Sequence, residues 1–202
     1  MITIPKQEGA RFDPVEHRYY LNDRRVIGLT EALGSVGIKP PLVGIPQSTL
    51  ERVRERGTRI HLLTQLDDEN DLGEYAPEDE GYLSAWRKFK AEHDYRPEII
   101  EQFFIHPLYF FGGIPDRGCY LGAKKATLEI KTTVAGVEPW VDIQTALQCS
   151  LLRDVAGFNS EIRAAVALFE DGTYEFKTFK DHRAIALGLS AVAIANYKLG
   201  RK

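Results

Sequence analysis

Gly113-Ile114-Pro115-Asp116 closes one β-type run of this chain, and Leu128-Glu129-Ile130-Lys131-Thr132 forms the next but one. Side chains alternate along a strand, so Glu129 and Lys131 project from one face while Leu128 and Ile130 point to the core. A hairpin turning at Leu121-Gly122-Ala123-Lys124-Lys125 brings Asp116 back beside Glu129. Two carboxylates and one ammonium then meet at a single spot. Paired carboxylates bind a hard cation such as Mg²⁺ through oxygen. Such a cation polarises a phosphoryl oxygen and acidifies bound water. Lys131 can orient that water or stabilise developing charge. Glu-x-Lys by itself is common and reads as a surface ion pair on an edge strand. Pro-Asp on the neighbouring strand lifts the pattern above that reading.

Outward from this centre, the rest of the chain supplies a mixed α/β layout around a central sheet. Residues 17–26 read as a small hairpin turning at Asn22-Asp23, followed by a short helix over 31–36 after Thr30. Residues 37–46, rich in Pro and Gly, form a loop. A helix starts near Ser48, where Ser48 and Glu51 have capping-box spacing. It carries Leu50, Val53, Ile60, Leu62, Leu63 and Leu66 and is a candidate for a break at Gly57. A further helix spans 78–93, with Tyr82, Leu83, Trp86 and Phe89 on one face. Strands are expected over 98–105, 109–116, 118–121 and 126–132, and a helix over 139–156. A hairpin of 161–170 and 173–179, joined at Asp171-Gly172, precedes a last helix over 181–199 with Asp181 as its N-cap.

Composition narrows the function classes. With 202 residues, 44% hydrophobic and 27% charged, the chain suits one soluble domain with a full core. No apolar run approaches the ~18–20 residues that span a bilayer. Met1-Ile2-Thr3-Ile4-Pro5-Lys6 lacks the apolar core of a signal peptide, so a cytoplasmic setting is expected, in a bacterial or phage-infected cell. Two cysteines, Cys119 and Cys149, are too few for a disulfide framework, a four-Cys zinc site or an iron–sulfur cluster. Cys119 reads as a strand residue and Cys149 as core. The net charge of −3 does not advertise nucleic-acid binding, but residues 67–80 hold eight acids and no base. The remainder is modestly basic, compatible with a DNA-binding face beside a solvated acidic loop.

Asp116, Glu129 and Lys131 match the signature of the PD-(D/E)XK nuclease superfamily, and three further features resemble its RecB-like branch, of the phage-encoded or mitochondrial exonuclease type. Arg56-Gly57-Thr58-Arg59-Ile60-His61 is similar to the Gly-Thr-x-x-His element of that branch, whose His is a metal ligand. Gln144 matches the Gln of a Gln-x-x-x-Tyr helix motif, but Gln148 stands where Tyr is usual. His17-Arg18-Tyr19-Tyr20 through Val26, then Thr30-Glu31-Ala32-Leu33, resembles the N-terminal opening of these exonucleases. A lone His on a helix is more often structural than ligating.

The resemblance implies one nuclease domain over 1–202, with an N-terminal hairpin and helices over about 12–93 and a restriction-endonuclease-like core over about 98–200. That core is a central mixed β-sheet flanked by helices. The resemblance further implies a DNA exonuclease of recombination, repair or replication, using one or two Mg²⁺ or Mn²⁺ ions and no iron–sulfur cluster. His61, Asp116, Glu129 and the Ile130 carbonyl would hold metal, and Glu101 would stand behind them. Asp116, Glu129, Lys131 and Gln144 would be catalytic. Single strands or duplex ends of DNA would meet Arg52, Arg56, Arg59, Lys124 and Lys125. Trp140 is a base-stacking candidate that more often packs a helix on a sheet. The rival reading is a weakly catalytic DNA-binding or protein-interaction module on the same fold.

Overall fold

The computed structural model describes residues 7–132 and 136–200, so the Met1–Lys6 opening lies outside the described residues. In chain order the elements are β1 (Ala10–Asp13), β2 (Arg18–Leu21), β3 (Arg24–Gly28), α1 (Leu29–Ser35), α2 (Gln47–Glu69), a 3₁₀ turn (Pro77–Asp79) and α3 (Glu80–Glu92). Then follow β4 (Tyr95–Ile100), β5 (Phe104–His106), β6 (Phe111–Gly113), β7 (Arg117–Leu121), β8 (Lys124–Lys131), α4 (Val141–Ala156), β9 (Ile162–Leu168), β10 (Tyr174–Phe179) and α5 (Ala184–Leu199). The class is mixed α/β, as expected, but the strands form two five-stranded sheets instead of one. Their orders are β1-β2-β3-β6-β5 and β10-β9-β8-β7-β4.

The division falls at Glu101. The expected strand over 98–105 breaks there into β4 and β5, which join different sheets. Glu101 takes a positive φ of 45°, a conformation costly for a residue with a Cβ. In the second sheet, β7 and β8 pair antiparallel with Arg117 opposite Leu128, and β8 runs parallel to β9. A parallel pair needs a crossover, and α4 supplies it.

Both faces of this sheet are covered, which the alternation on β9 records. Ala165 and Ala167 pack with α1, α4 and α5, whereas Ala164, Val166 and Leu168 pack with α2 and α3. Leu128 and Ile130 of β8 belong to the α2–α3 side. Glu129, between them, therefore faces α4.

Several local signals resolve differently from expectation. Helix α2 continues through Gly57, and Pro46 is its N-cap with no side-chain cap, so Ser48 and Glu51 form no capping box. Val53 and Leu62 face solvent; Ile60, Leu63 and Thr64 are the buried positions. Asp181 does not cap α5 but accepts from the Arg183 backbone and guanidinium. The acidic stretch is not simply a solvated loop. Residues 67–69 finish α2, Asp67 pairs with Arg87 and Lys90, and Asp79 is buried against Arg59.

The deepest of these acids is Asp68. Its side chain and that of Arg117 are both fully buried, with Arg117 Nε 2.8 Å from Asp68 Oδ2. The Tyr95 hydroxyl donates to the same oxygen at 2.9 Å, while Lys90 Nζ and Trp86 Nε1 donate to the other. Four donors thus meet the two oxygens of this buried carboxylate. Asp68→Asn would remove the fully buried one of the two carboxylates that face the guanidinium, leaving Glu101 alone. Urea unfolding should then show a loss of ~3–5 kcal/mol; a loss below ~1 kcal/mol would mean that the pair behaves like a surface ion pair.

Candidate metal centre

Three elements deliver the charged groups. Helix α2 passes the end of β8 at Gly57, whose added Cβ would lie 3.8 Å from Thr132 Oγ1. One turn later it presents His61, then Thr64 and Asp68 along the same stripe. Asp116 sits immediately before β7, one step beyond the Arg117–Leu128 pair and so across from Glu129. Its Oδ2 accepts from the Ile130 backbone N–H at 2.6 Å. The N–H and C=O of a strand residue point to the same edge, so the Ile130 carbonyl also faces the Asp116 segment. Glu101 arrives from the strand break, its N–H bonded to the Asp116 carbonyl at 3.1 Å.

His61, Glu101 and Asp116 each offer a ligand atom within 4.8 Å of the other two. His61 Nδ1 lies 3.0 Å from Glu101 Oε1 and 3.7 Å from Asp116 Oδ1. Glu129 stands outside this trio because its carboxylate is already engaged. Oε1 accepts from Lys131 Nζ and from Gln144 Nε2, both at 2.6 Å, and Oε2 accepts from Gln148 Nε2. Gln144 closes the ring by accepting from Lys131 at 3.1 Å. All four side chains are largely buried, so Glu129–Lys131 is not a surface ion pair.

Burial and repulsion from Glu129 push the Asp116 carboxyl well above its ordinary range. Burial also acts to raise Glu129, but Lys131 and the Gln148 amide outweigh it and hold Glu129 below its usual value. Burial opposes charge on His61, yet Asp116 and Glu101 lift the imidazole to about 9. Lys131 is raised because Glu129 and Asp116 overcome its burial. Without a cation, then, Glu129 is the stronger acid of the pair, and the neighbouring carboxylates favour the protonated form of His61. Two carboxylates and one imidazole fit a hard or borderline divalent cation, which would also relieve the repulsion on Asp116.

Arg117 was not a candidate in the sequence, although a single base in an apolar strand directly after Asp116 was a usable signal. Its Nη1 donates to the Asp116 carbonyl at 2.7 Å and to Glu101 at 3.0 Å, and its Nη2 donates to Thr64 at 3.1 Å. The expected DNA contacts do not gather here. Arg59 is forked onto Asp79 at 2.5 and 2.8 Å. Lys124 and Lys125 lie at the far end of β8, roughly 13–17 Å of strand from Glu129. Arg52 is exposed on α2, and Arg56 donates to the Thr132 carbonyl at 3.1 Å. Trp140 is buried in the core.

No protein-family profile matches this chain, and no curated protein matches it. Among solved structures it is similar to an alkaline exonuclease, LHK-Exo, from Laribacter hongkongensis. The TM-score is 0.49 and the identity 15%, over 87% of this chain and 88% of that one. The structure of LHK-Exo in complex with dAMP gives a TM-score of 0.48 and 16% identity, over the same 87% and 88%. What this chain can do chemically follows from its own side chains.

Because folding raises the His61 value from 6.5 to about 9, the protonated imidazole contributes stability that is fully present below pH 6.5 and lost as pH rises through 9. A cation needs the neutral ring and must expel that proton. NMR titration of the metal-free protein should place the His61 transition near 9. Mn²⁺ binding, followed by calorimetry at neutral pH in buffers of different ionisation enthalpy, should release a proton. Glu101→Gln should weaken that binding ~10–100-fold. Binding with no proton release and no dependence on Glu101 would remove both residues from the centre.

Proposed function

We propose that this chain is a divalent-metal-dependent nuclease that hydrolyses phosphodiester bonds of DNA, acting as an exonuclease on single strands or duplex ends. The observation that carries the reading is the convergence of His61, Glu101 and Asp116 beside a buried, ionised Glu129 already holding Lys131. A salt bridge kept for stability alone has no need of three more ionisable groups crowded against it at an electrostatic cost.

In this reading His61, Asp116 and Glu101 hold Mg²⁺ or Mn²⁺, with Glu129 and the Ile130 carbonyl at its margin. A cation bound there supplies Lewis acidity toward a phosphoryl oxygen and toward water. Lys131 is fixed between Glu129 and Gln144, so its ammonium is oriented before substrate arrives. It keeps its proton at neutral pH and can hold the attacking water or meet negative charge growing on the phosphoryl oxygens. Gln144 and Gln148 keep Glu129 in one orientation without adding charge. The DNA backbone would approach by electrostatic attraction, with exposed Arg52 and with Arg56, held on the Thr132 carbonyl, among the expected contacts.

End-labelled single- and double-stranded DNA incubated with Mg²⁺ or Mn²⁺ tests the proposal. Mononucleotides released from ends would accord with exonuclease action, and internal fragments would replace it with endonuclease action. Lys131→Ala should slow cleavage by about 10²–10³-fold while Mn²⁺ still binds. Normal cleavage by that variant would end the assignment of Lys131.

A further inference from the structure

Lys39, in the loop after α1, is a cation with no ion-pair partner among the described residues. Its ammonium lies over the Trp140 ring, 5.3 Å from the centroid, and Lys131 Nζ lies over the same indole at 5.0 Å. Among the described residues the Lys39 ammonium has no hydrogen-bond acceptor and no carboxylate within ion-pair distance, although the residue is half-buried. Burial and repulsion from Lys131 lower its pKa, and Glu138 and Glu129 compensate only in part. Arg54 of α2 adds a third positive charge within electrostatic reach. The platform carries a second unmet donor: Trp140 is 8% exposed, and its Nε1 is buried with no acceptor.

Attraction to an aromatic face offsets part of such crowding. It does not supply Lys39 with a countercharge of its own. Lys131 is committed to Glu129, so the vacancy for an anion lies on the Lys39 side. A phosphodiester suits it, because its two non-bridging oxygens can take more than one donor while carrying a single charge.

We propose that Lys39, set on Trp140 beside Lys131, is a substrate-binding residue that takes a non-bridging oxygen of the DNA phosphate next to the one cleaved. The inference rests on the nuclease reading for its substrate class, but its test is a binding measurement in which cleavage plays no part.

A fluorescein-labelled single-stranded oligonucleotide is titrated with metal-free protein and followed by anisotropy across a salt series. Lys39→Met keeps a long apolar stem over Trp140 and removes the charge. It should weaken binding about 10-fold and lower the slope of log affinity against log salt by roughly one. Lys39→Arg should restore most of both. Lys88→Met, an exposed lysine of α3 away from the centre, should bind as the unaltered protein does. Calorimetry should find the Mn²⁺ affinity of Lys39→Met unchanged, which also shows the variant folded. Equal binding by Lys39→Met, an equal loss in Lys88→Met, or no oligonucleotide binding by the unaltered protein would each overturn the inference. Lys39-dependent binding by a protein that cuts no DNA would sink the nuclease reading and leave this site standing.

Discussion

The buried Arg117 guanidinium is the point on which the charged centre depends. It reaches Asp68 and Thr64 on α2, the Glu101 side chain, and the carbonyl of the residue before it. A charge that deep is tolerable only if its donors are matched, and the matching groups come from three separate parts of the chain. One side chain therefore sets the height of α2 over the sheet, the position of the strand break and the path of the Asp116 backbone. The candidate ligands are positioned as a by-product of satisfying a cation that never touches them all directly.

On the other side of Asp116, the constraint is inverted. Glu129 is a buried anion, and its donors are one ammonium and two neutral amides. The amides come from α4 one turn apart, so the crossover helix that connects β8 to β9 also fixes the carboxylate of β8. Two rigid clamps of opposite sign thus face each other across Asp116, whose carboxyl is left in the least comfortable electrostatic position of the group. Preorganised dipoles and charges of this kind keep their geometry before any ligand arrives.

Much of this was readable from residues alone. Alternation places Glu129 and Lys131 on one face of β8, and Asn22-Asp23 and Asp171-Gly172 mark turns through their chemistry. His61 was a candidate through the resemblance of its Gly-Thr-x-x-His element, and the structure sets it one helical turn from the place where α2 passes β8. Other features were not local. Glu101 looks like a residue inside one strand until its positive φ sends β4 and β5 to different sheets. Ser48 and Asp181 have cap-forming side chains, but tertiary packing started their helices elsewhere. The acids over 67–80 carried a composition signal for a solvated loop, whereas Asp67, Asp68 and Asp79 had partners far along the chain. Charge burial is decided by those distant partners, which a window of sequence does not contain.

The stripe His61, Thr64, Asp68 on α2 works as a ruler between the imidazole end and the Arg117 end. Adding or deleting a single residue between His61 and Asp68 would turn one end by about 100° relative to the other. No loop there could absorb the change. Length variation among natural or laboratory versions of this chain should therefore collect in the connection after Asn70, and be purged from the two turns of helix before it.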